Sequence, residues 1–353
     1  MGPNGVCGET QRLGYPQRLS GYSRVPGGPI PTLAGGYGFI EEATVTPARR
    51  RGWELPESAA TAEGAYLDRR EFLRRIGFAG AGLAAGLASF GTAAGAAAVP
   101  PKPLAGTAGR AFAAAPEGPG VSRRNFREFS DRRDVEGMHA AALALTPWRV
   151  KIDGLVEQPR ELDVDALIGR MPLEERTYRH RCVSGWAAAL PWTGFPLAAL
   201  VAWARPLSSA RYLRVVSFLD PAAAPNQGRA SWYPWPYAEA YRLDEATHEL
   251  AFVATGIYGH SLPPEHGAPL RIAMPWKYGY KSAKAIVRFE FTERQPATFW
   301  STLAPARCDW DGNVNSGGTN ASGSQANEIV IGTGEARPTL AFNGYAEFFA
   351  SLS

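Results

Sequence analysis

The chain has 353 residues, of which 45% are apolar, with ten Trp and thirteen Tyr. This length accommodates one large domain or two ordinary ones, and the composition is that of a globular protein with a sizeable core. The net charge of +4 arises in residues 1–110, which carry twelve Lys and Arg against eight Asp and Glu, whereas residues 111–353 carry twenty-five of each. The main part of the chain is therefore neutral, which argues against nucleic-acid binding.

The N-terminal part has the pattern of an export signal. Residues 1–65 are rich in Gly, Pro, Arg and Ala without a sustained period, which predicts a disordered or mis-annotated N-terminal extension. Arg69-Arg70 precedes Glu-Phe-Leu, an Ala- and Gly-rich apolar run and small residues at 96–98, which predicts a twin-arginine signal peptide over residues 66–98. The apolar run is short and Gly-rich for a membrane span. A linker at 99–121 then leads to a domain at 122–353.

Hydrophobic periodicity in this domain predicts an α+β fold with many short strands and few helices. The predicted strands are Pro147–Val156, Thr177–Cys182, Arg211–Phe218, Leu250–Thr255 and Ala285–Phe291. The predicted helices are Asp163–Met171, Leu197–Ala204 and Tyr237–Thr247. Loops are predicted at Pro221–Pro236, where Trp232, Tyr233 and Trp235 could line a pocket mouth, and at the Gly- and Ser-rich residues 316–323.

One cysteine lies in a chemically distinctive stretch. Cys182 follows Arg179-His180-Arg181 and precedes a Trp- and Pro-rich segment, Trp186–Pro196, which predicts a rigid turn. Nearby positive charge favours a thiolate, the form that attacks electrophiles or binds soft metals. A buried inert cysteine and a disulfide with Cys308 are the alternatives.

The sequence motif around Cys182 resembles that of a known family. Arg-Cys-Val, then Trp, then Pro-Trp-x-Gly-Phe-Pro-Leu across residues 181–197 resembles the molybdenum-ligand loop of the sulfite-oxidase superfamily. Within it, the chain looks most like the periplasmic protein-methionine-sulfoxide reductase catalytic subunits. The resemblance implies a sulfite-oxidase-type oxidoreductase molybdopterin-binding domain, built of mixed sheets with short helices. It also implies that Cys182 is catalytic and binds the metal of a mononuclear Mo-molybdopterin.

A second stretch, residues 256–284, interleaves basic residues with Gly and aromatic residues. A pyranopterin offers a phosphate, which attracts Arg, Lys and backbone N–H groups, and a flat heterocycle, which packs on aromatic walls. Lys277 and Lys281 fit a solvated role equally well, and His260 with His266 could instead form a metal pair. The resemblance implies cofactor contacts at Arg124, Asn125, Arg127, Glu128, Ser217, His266, Arg271, Ser282, Ala283 and Lys284.

Three positions depart from the family wording. Arg124 and Arg127 stand where the family has Asn and Tyr, and Ser184 stands where it has Glu. An acidic group is therefore missing beside the cysteine, and proton delivery or substrate preference is expected to differ. Arg179 and Arg181 are expected to balance negative charge near the metal.

The function implied by the resemblance is reduction of methionine sulfoxide in periplasmic proteins, by oxygen-atom transfer to molybdenum. The implied partners are oxidised periplasmic proteins, the twin-arginine translocase and a haem b membrane subunit that supplies electrons from quinol. A reductase of small S- or N-oxides, a sulfite-oxidase-like enzyme of oxyanions and a non-catalytic exported binding protein remain alternatives.

Overall fold

The computed structural model describes residues 52–63, 66, 126–130, 143–306, 308–317, 319–320 and 323–352. Of these, Trp53–Ala346 belong to one compact unit, and Gly52 and residues 347–352 fall outside it. Tyr66 apart, the predicted signal peptide and linker lie outside the described residues, as do Arg124 and Asn125. No helix in the described part of the chain is long and apolar enough to span a bilayer.

Short strands and helices make up the described residues, in agreement with the predicted α+β class. The strands are β1 (Arg149–Gly154), β2 (Arg160–Asp163), β3 (Glu174–Arg181), β4 (Trp186–Pro196), β5 (Tyr212–Ser217), β6 (Ala238–Arg242), β7 (Phe252–Ile257), β8 (His260–Ser261), β9 (Arg271–Ala273), β10 (Ile286–Thr292), β11 (Thr319–Asn320), β12 (Gly323–Ser324), β13 (Asn327–Val330) and β14 (Ala336–Pro338). The helices are α1 (Val164–Ile168), α2 (Leu197–Ala204), α3 (Pro225–Arg229), α4 (Leu243–Thr247) and α5 (Phe299–Leu303), and 3-10 turns cover Glu57–Ala59, Pro264–His266, Gly279–Lys281, Ala341–Gly344 and Ala346–Leu352.

The first sheet has the order β2-β1-β10-β5-β6. Its β1–β10 pair is parallel and its other pairs are antiparallel. Alternate residues of β1 are buried, with Val150 and Ile152 facing the core alongside Leu213 and Phe289. Each such apolar side chain stabilises the fold by about 1.5–3 kcal/mol when it leaves water.

The second sheet runs β14-β13-β4-β7-β8, with β3 paired to β4 and β9 paired to β7. Here the prediction of a rigid turn at Trp186–Pro196 is wrong, because the segment is the long strand β4. Pro191 is tolerated since its nitrogen faces away from β3, on the side where β4 bonds other partners. Gly194 is required at the crossing with β7, where a Cβ would lie 2.0 Å from the Val253 carbonyl oxygen.

The predicted helix Leu197–Ala204 is confirmed, whereas only the second half of the predicted helix Tyr237–Thr247 is helical. α2 covers the predicted residues and buries Leu197, Leu200, Val201 and Ala204, the spacing of one helical face. The predicted helix Tyr237–Thr247 is helical only in α4, since its first half is the strand β6. Pairing with β5 overrides the helix propensity of this Ala- and Glu-containing segment.

Part of the segment predicted to be disordered is ordered. Residues 52–63 contain a 3-10 turn, and the Trp53 ring lies 5.5 Å from that of Tyr178. The rest of residues 1–65, predicted to be a disordered or mis-annotated extension, lies outside the described residues. The Gly- and Ser-rich loop likewise contains a two-strand ladder, β11–β12, and the predicted loop Pro221–Pro236 contains α3.

Candidate cofactor site

Cys182 lies in the tight connection between β3 and β4. Its backbone N–H donates to the Trp186 carbonyl at 2.9 Å, and its carbonyl accepts from Gly185 N–H at 3.0 Å. Gly185 has a φ of +92°, a conformation that favours glycine. The Ser184 N–H points at the sulfur from 3.4 Å. Cys182 is 4% exposed and carries a free thiol, so the alternative of a bond to Cys308 does not hold.

Side chains on the last residues of β3 alternate between two faces. Arg179 and Arg181 point to one face, and His180 shares the other face with Cys182, two residues further on. We call these the carboxylate face and the thiol face. The arginine side chains thus leave β3 on the face opposite to His180, although Arg181 Nη1 still donates to the Cys182 carbonyl.

The carboxylate face contains a buried ion cluster around Glu328 of β13. Its Oε1 accepts from Arg179 Nη2 at 2.8 Å and from Arg337 Nε at 2.6 Å, and its Oε2 lies 3.2 Å from Arg181 Nε. Glu328 and Arg181 are both fully buried. Glu328 supplies one negative charge to three arginines, and Arg181 also interacts electrostatically with Cys182, so the expectation that Arg179 and Arg181 balance negative charge near the metal stays a prediction.

The thiol face adjoins a group of cations. The Arg271 guanidinium lies 4.7 Å from the Trp192 ring, and its Nη1 donates to the His266 carbonyl at 2.9 Å. Arg271 and Lys284 form a β-bridge to one another. Gly267 makes this close packing possible, since a Cβ there would lie 2.7 Å from the Lys284 Cβ.

The cations of the thiol face interact electrostatically with His180. Desolvation by the surrounding protein, then the charges of Arg271, Lys284 and His266, lower the pKa of His180 to about 3. The imidazole is therefore neutral at neutral pH. Burial also depresses the pKa of Arg271. Positive charge on the thiol face is thus destabilised in the absence of a bound anion.

The described part of the predicted pterin-binding segment lies against these cations. Glu128 is buried, and its Oε1 accepts from the Lys284 N–H at 2.9 Å. Burial raises the pKa of this carboxyl, with Lys284 opposing. Lys284 Nζ lies 5.6 Å from the ring of Phe126. Gln227 anchors the segment by donating to the Glu128 carbonyl at 2.9 Å.

The remaining predicted contacts differ in burial. Ser217, Ser282 and Ala283 are buried, whereas Arg127 is only partly so. Ala283 O accepts from Ile272 N–H at 2.9 Å, which ties the Ser282-Ala283-Lys284 turn to β9. The turn, Glu128 and Arg271 are therefore brought together by contacts.

Lys277 and Lys281 are neither solvated nor available to a phosphate. Lys277 Nζ bonds Glu245 at 2.5 Å, the Asp311 carbonyl at 2.8 Å and Asn313 at 3.0 Å. Lys281 Nζ lies 2.7 Å from Glu239 and bonds two backbone carbonyls. All three donors of each ammonium are used, so both lysines stabilise the fold.

Two further sequence hypotheses gain no support. No group of three or more His, Cys, Asp and Glu in the described residues is arranged to hold a metal ion, which leaves the His260–His266 pair without companions. The Tyr233 and Trp235 rings pack on Phe299, at 5.8 and 5.2 Å, and Trp232 is 72% exposed. These contacts define an aromatic cluster around Phe299 rather than a rim around Cys182.

The residues present fit an anionic metal cofactor. Arg271 Nε and Ser217 Oγ are buried and have no hydrogen-bond partner among the described residues. A buried donor without a partner is costly, and a phosphate or a pterin edge would satisfy both groups. A free thiol on the same face supplies the soft ligand that molybdenum requires.

This fold and this site define a molybdopterin-binding oxidoreductase. The family model of the oxidoreductase molybdopterin binding domain matches residues 138–300. The protein-methionine-sulfoxide reductase catalytic subunit MsrP of Burkholderia mallei is 39% identical over 312 residues, covering 85% of this chain and 93% of that protein. The chain therefore belongs to the family of molybdopterin-dependent protein-methionine-sulfoxide reductase catalytic subunits.

Membership confirms the predicted enzyme class and the Mo-molybdopterin cofactor. The matched 85% is more than residues 99–353 can supply, so the similarity extends into the N-terminal part. The sulfane dehydrogenase SoxCD from Paracoccus pantotrophus, a solved structure, aligns with a TM-score of 0.37 and 17% identity over 56% of this chain and 45% of its own. That likeness is too low to support any argument.

Sequence reasoning missed two residues that shape the site. His180 was considered only as a source of charge, yet it lies on the thiol face and is neutral. Strand alternation from Cys182 could have placed it there. Glu328 lies about 150 residues from Arg179 and Arg181, with which it pairs, and no local pattern marks it.

Proposed function

We propose that this chain reduces methionine sulfoxide side chains of exported proteins, with Mo-molybdopterin bound at the thiol face. The observation that carries the proposal is the free, buried thiol of Cys182 two residues from His180, whose pKa is lowered by burial and by the charges of Arg271 and Lys284, in a chain of this family. When bound, the cofactor supplies the acceptor for the sulfoxide oxygen and the electrons for its reduction.

The chain's own residues would then hold and orient the cofactor. Cys182 would be the metal ligand, with the Ser184 N–H directed at its sulfur. Arg271 and Lys284 would bind the phosphate, and Ser217 would hydrogen-bond the pterin. Neutral His180 can donate or accept one hydrogen bond beside Cys182 without adding charge.

The cellular setting is also part of the proposal. Arg69-Arg70 with its apolar run would direct the folded, cofactor-loaded protein through the twin-arginine translocase into the periplasm. The chain carries no haem-binding motif in its sequence, so a haem b membrane subunit would supply electrons from quinol.

The test is cofactor content and activity of the full chain made in a host that produces the molybdenum cofactor. We expect one molybdenum and one pterin per chain, and reduction of methionine sulfoxide in an oxidised unfolded protein with a reduced viologen as donor. Cys182→Ser should lose molybdenum and activity, since the hydroxyl is a poor ligand for it. Cys308→Ser, a second buried cysteine, is the matched control and should retain both.

The alternatives give different results. A chain that binds molybdenum and pterin but reduces only small S- or N-oxides is not a protein-repair enzyme. A full chain without molybdenum or pterin is a binding protein. Full reductase activity in Cys182→Ser would overturn the assignment of the metal ligand.

A further inference from the structure

β6 is the edge strand of the first sheet, and one of its faces carries a buried carboxylate. Tyr237 directly precedes the strand, and Tyr237, Glu239 and Tyr241 are alternate residues, so their side chains leave on the same side. Each of the three, which we call the β6 face, is at most 2% exposed. A buried carboxylate is costly unless a cation is close, so its partner shows what this face holds.

The three side chains of the β6 face bond the same two consecutive residues. The Tyr237 hydroxyl donates to Tyr280 O at 2.6 Å. The Tyr241 hydroxyl donates to Lys281 O, and Glu239 Oε2 lies 2.7 Å from Lys281 Nζ. Tyr280 and Lys281 end a 3-10 turn, so the β6 face holds that turn through two backbone carbonyls and one ammonium.

Lys281 is fixed at both its side chain and its backbone. Besides the ion pair with Glu239, its Nζ donates to Ala240 O at 3.0 Å and to Trp310 O at 2.8 Å. Its stem is closely packed, since a Cβ at Gly312 would lie 2.5 Å from Lys281 Cγ. Hydrogen bonds have preferred directions, whereas apolar contacts do not, so the ammonium is held in one position.

The residues that follow Lys281 are the predicted cofactor turn, Ser282-Ala283-Lys284. Lys284 lies three residues beyond Lys281, so the chain between them spans at most about 11 Å. The Lys284 N–H donates to Glu128 Oε1 at 2.9 Å, and Lys284 forms a β-bridge with Arg271. A shift of Lys281 is therefore transmitted to the backbone that lies beside both predicted contacts.

We propose that Glu239 is a positioning residue for the cofactor: by fixing Lys281, it sets where the Lys284 backbone lies. The two tyrosines of the β6 face assist by holding the carbonyls of the same 3-10 turn. The inference rests on the proposed function and adds residues that do not touch the cofactor. Loss of this hold should loosen the phosphate site and leave the thiolate ligand in place.

A second buried ion pair nearby serves as a control. Lys277 Nζ lies 2.5 Å from Glu245, and its two other bonds go to the segment 311–313 rather than to the cofactor turn. Glu239→Gln/Lys281→Met and Glu245→Gln/Lys277→Met each delete one buried pair and two further bonds of the ammonium. We expect the two double variants to lose comparable stability toward urea, since each removes a whole pair rather than one partner.

Release of pterin from the full-chain holoenzyme separates positioning from stability. We expect Glu239→Gln/Lys281→Met to release pterin about ten- to a hundredfold faster than the wild type, the usual cost of losing a residue that supports a ligand. Glu245→Gln/Lys277→Met should stay within about twofold of the wild type. The electron paramagnetic resonance spectrum of the bound molybdenum should change in the first variant only, since the orientation of the pterin affects the surroundings of the metal.

Tyr241→Phe is a milder change that decides the question if the first double variant does not fold. It removes only the hydroxyl bond to the Lys281 carbonyl and should accelerate pterin release about two- to tenfold. Tyr345→Phe is its control, because the Tyr345 hydroxyl accepts from the Arg179 N–H at 3.0 Å, outside the cofactor turn. That variant should release pterin at the wild-type rate.

Hydrogen exchange of the Lys284 amide distinguishes this inference from the proposed function, because it is measured with and without cofactor. We expect exchange to be at least about tenfold faster in Glu239→Gln/Lys281→Met than in the wild type. Equal exchange, or equal pterin release in the two double variants, overturns the positioning role. A wild-type chain without molybdenum and pterin rejects the proposed function, while faster exchange in the variant still supports the hold on the turn.

Discussion

The buried arginines on the two faces of β3 differ in their charged partners. On the carboxylate face, Arg179, Arg181 and Arg337 converge on Glu328, at 2.8, 3.2 and 2.6 Å. On the thiol face, Arg271 Nε is buried and has no hydrogen-bond partner among the described residues, and the nearby carboxyl of Glu128 has a raised pKa. Arg181 Nε likewise has no hydrogen-bond partner there, but it lies 3.2 Å from the Glu328 carboxylate, whereas Arg271 has no carboxylate at ion-pair distance in the described part of the chain.

Arg181 has a carboxylate at ion-pair distance, whereas Arg271 has none among the described residues. A buried charge without a partner of opposite sign is costly, so a cation that stabilises the fold needs such a partner within the chain. A cation that binds an anionic ligand can lack that partner until the ligand arrives. The presence of a nearby carboxylate therefore distinguishes Arg181 from Arg271.

Of the changes considered, removal of the Glu328 carboxylate should have the largest effect on the free energy of unfolding. Glu328→Gln leaves three arginines around a neutral amide, and we expect the free energy of unfolding to fall by about 3–5 kcal/mol, as for other broken buried ion clusters. Urea unfolding of the full chain measures this. Glu335→Gln, at an exposed position of the following turn, should change stability by less than about 0.5 kcal/mol. A loss of that small size in Glu328→Gln would mean that the two faces do not differ.

The same kind of change on the thiol face should behave differently. Arg271→Met removes a buried cation with an unmatched donor, so the cofactor-free protein should keep its free energy of unfolding within about 1 kcal/mol. The fraction of chains that retain molybdenum and pterin should fall by about ten- to a hundredfold, the usual cost of removing a supporting contact. Cofactor content after gel filtration measures the second effect.

The control for Arg271 is Arg214→Met. Arg214 pairs with Glu290 at 2.9 Å on a partly exposed part of the first sheet, so its loss should leave cofactor content unchanged. If Arg271→Met destabilises the cofactor-free protein as strongly as Glu328→Gln, then Arg271 is structural and the thiol face needs no anion.

The sequence could predict which residue types form the site, but not the side of the sheet on which each side chain lies. Cys182 and the basic residues after Gly256 are found from residue type and local wording, because a metal ligand and a phosphate site need those side chains. The ion pairs of Arg179 and Arg181 depend on Glu328, whose position follows from the pairing of β13 with β4. Such pairing joins residues distant in sequence and leaves no local pattern.

The same limit applies to the fold. The apolar spacing in Leu197–Ala204 is satisfied within one helix, so α2 could be predicted to the residue. Tyr237–Arg242 has helix-forming residues, and only the neighbouring β5 makes it a strand. Thr61 lies in a polar segment without period, and its order comes from bonds to Ala189 and Tyr258.

Asp153 is a weaker case of an ion-paired carboxylate, because its cationic partners are partly exposed. Burial acts to raise the pKa of Asp153, but hydrogen bonds from Arg288 and Lys151, at 2.8 and 2.9 Å, outweigh it and hold the pKa below its usual value. Because the folded-state pKa is depressed, the stabilisation is present above the unfolded pKa near 4 and is lost as pH falls through the folded value.

Asp153→Asn should therefore lower the free energy of unfolding by about 1 kcal/mol at pH 7, since Lys151 is half exposed and water screens the pair. The difference between wild type and variant should shrink as pH falls below about 4. Thermal unfolding of both proteins from pH 7 to pH 3 measures it. A constant difference across that range would assign the loss to packing rather than to charge, and would leave Glu328 as the only cluster in the comparison whose stabilisation comes from ion pairing.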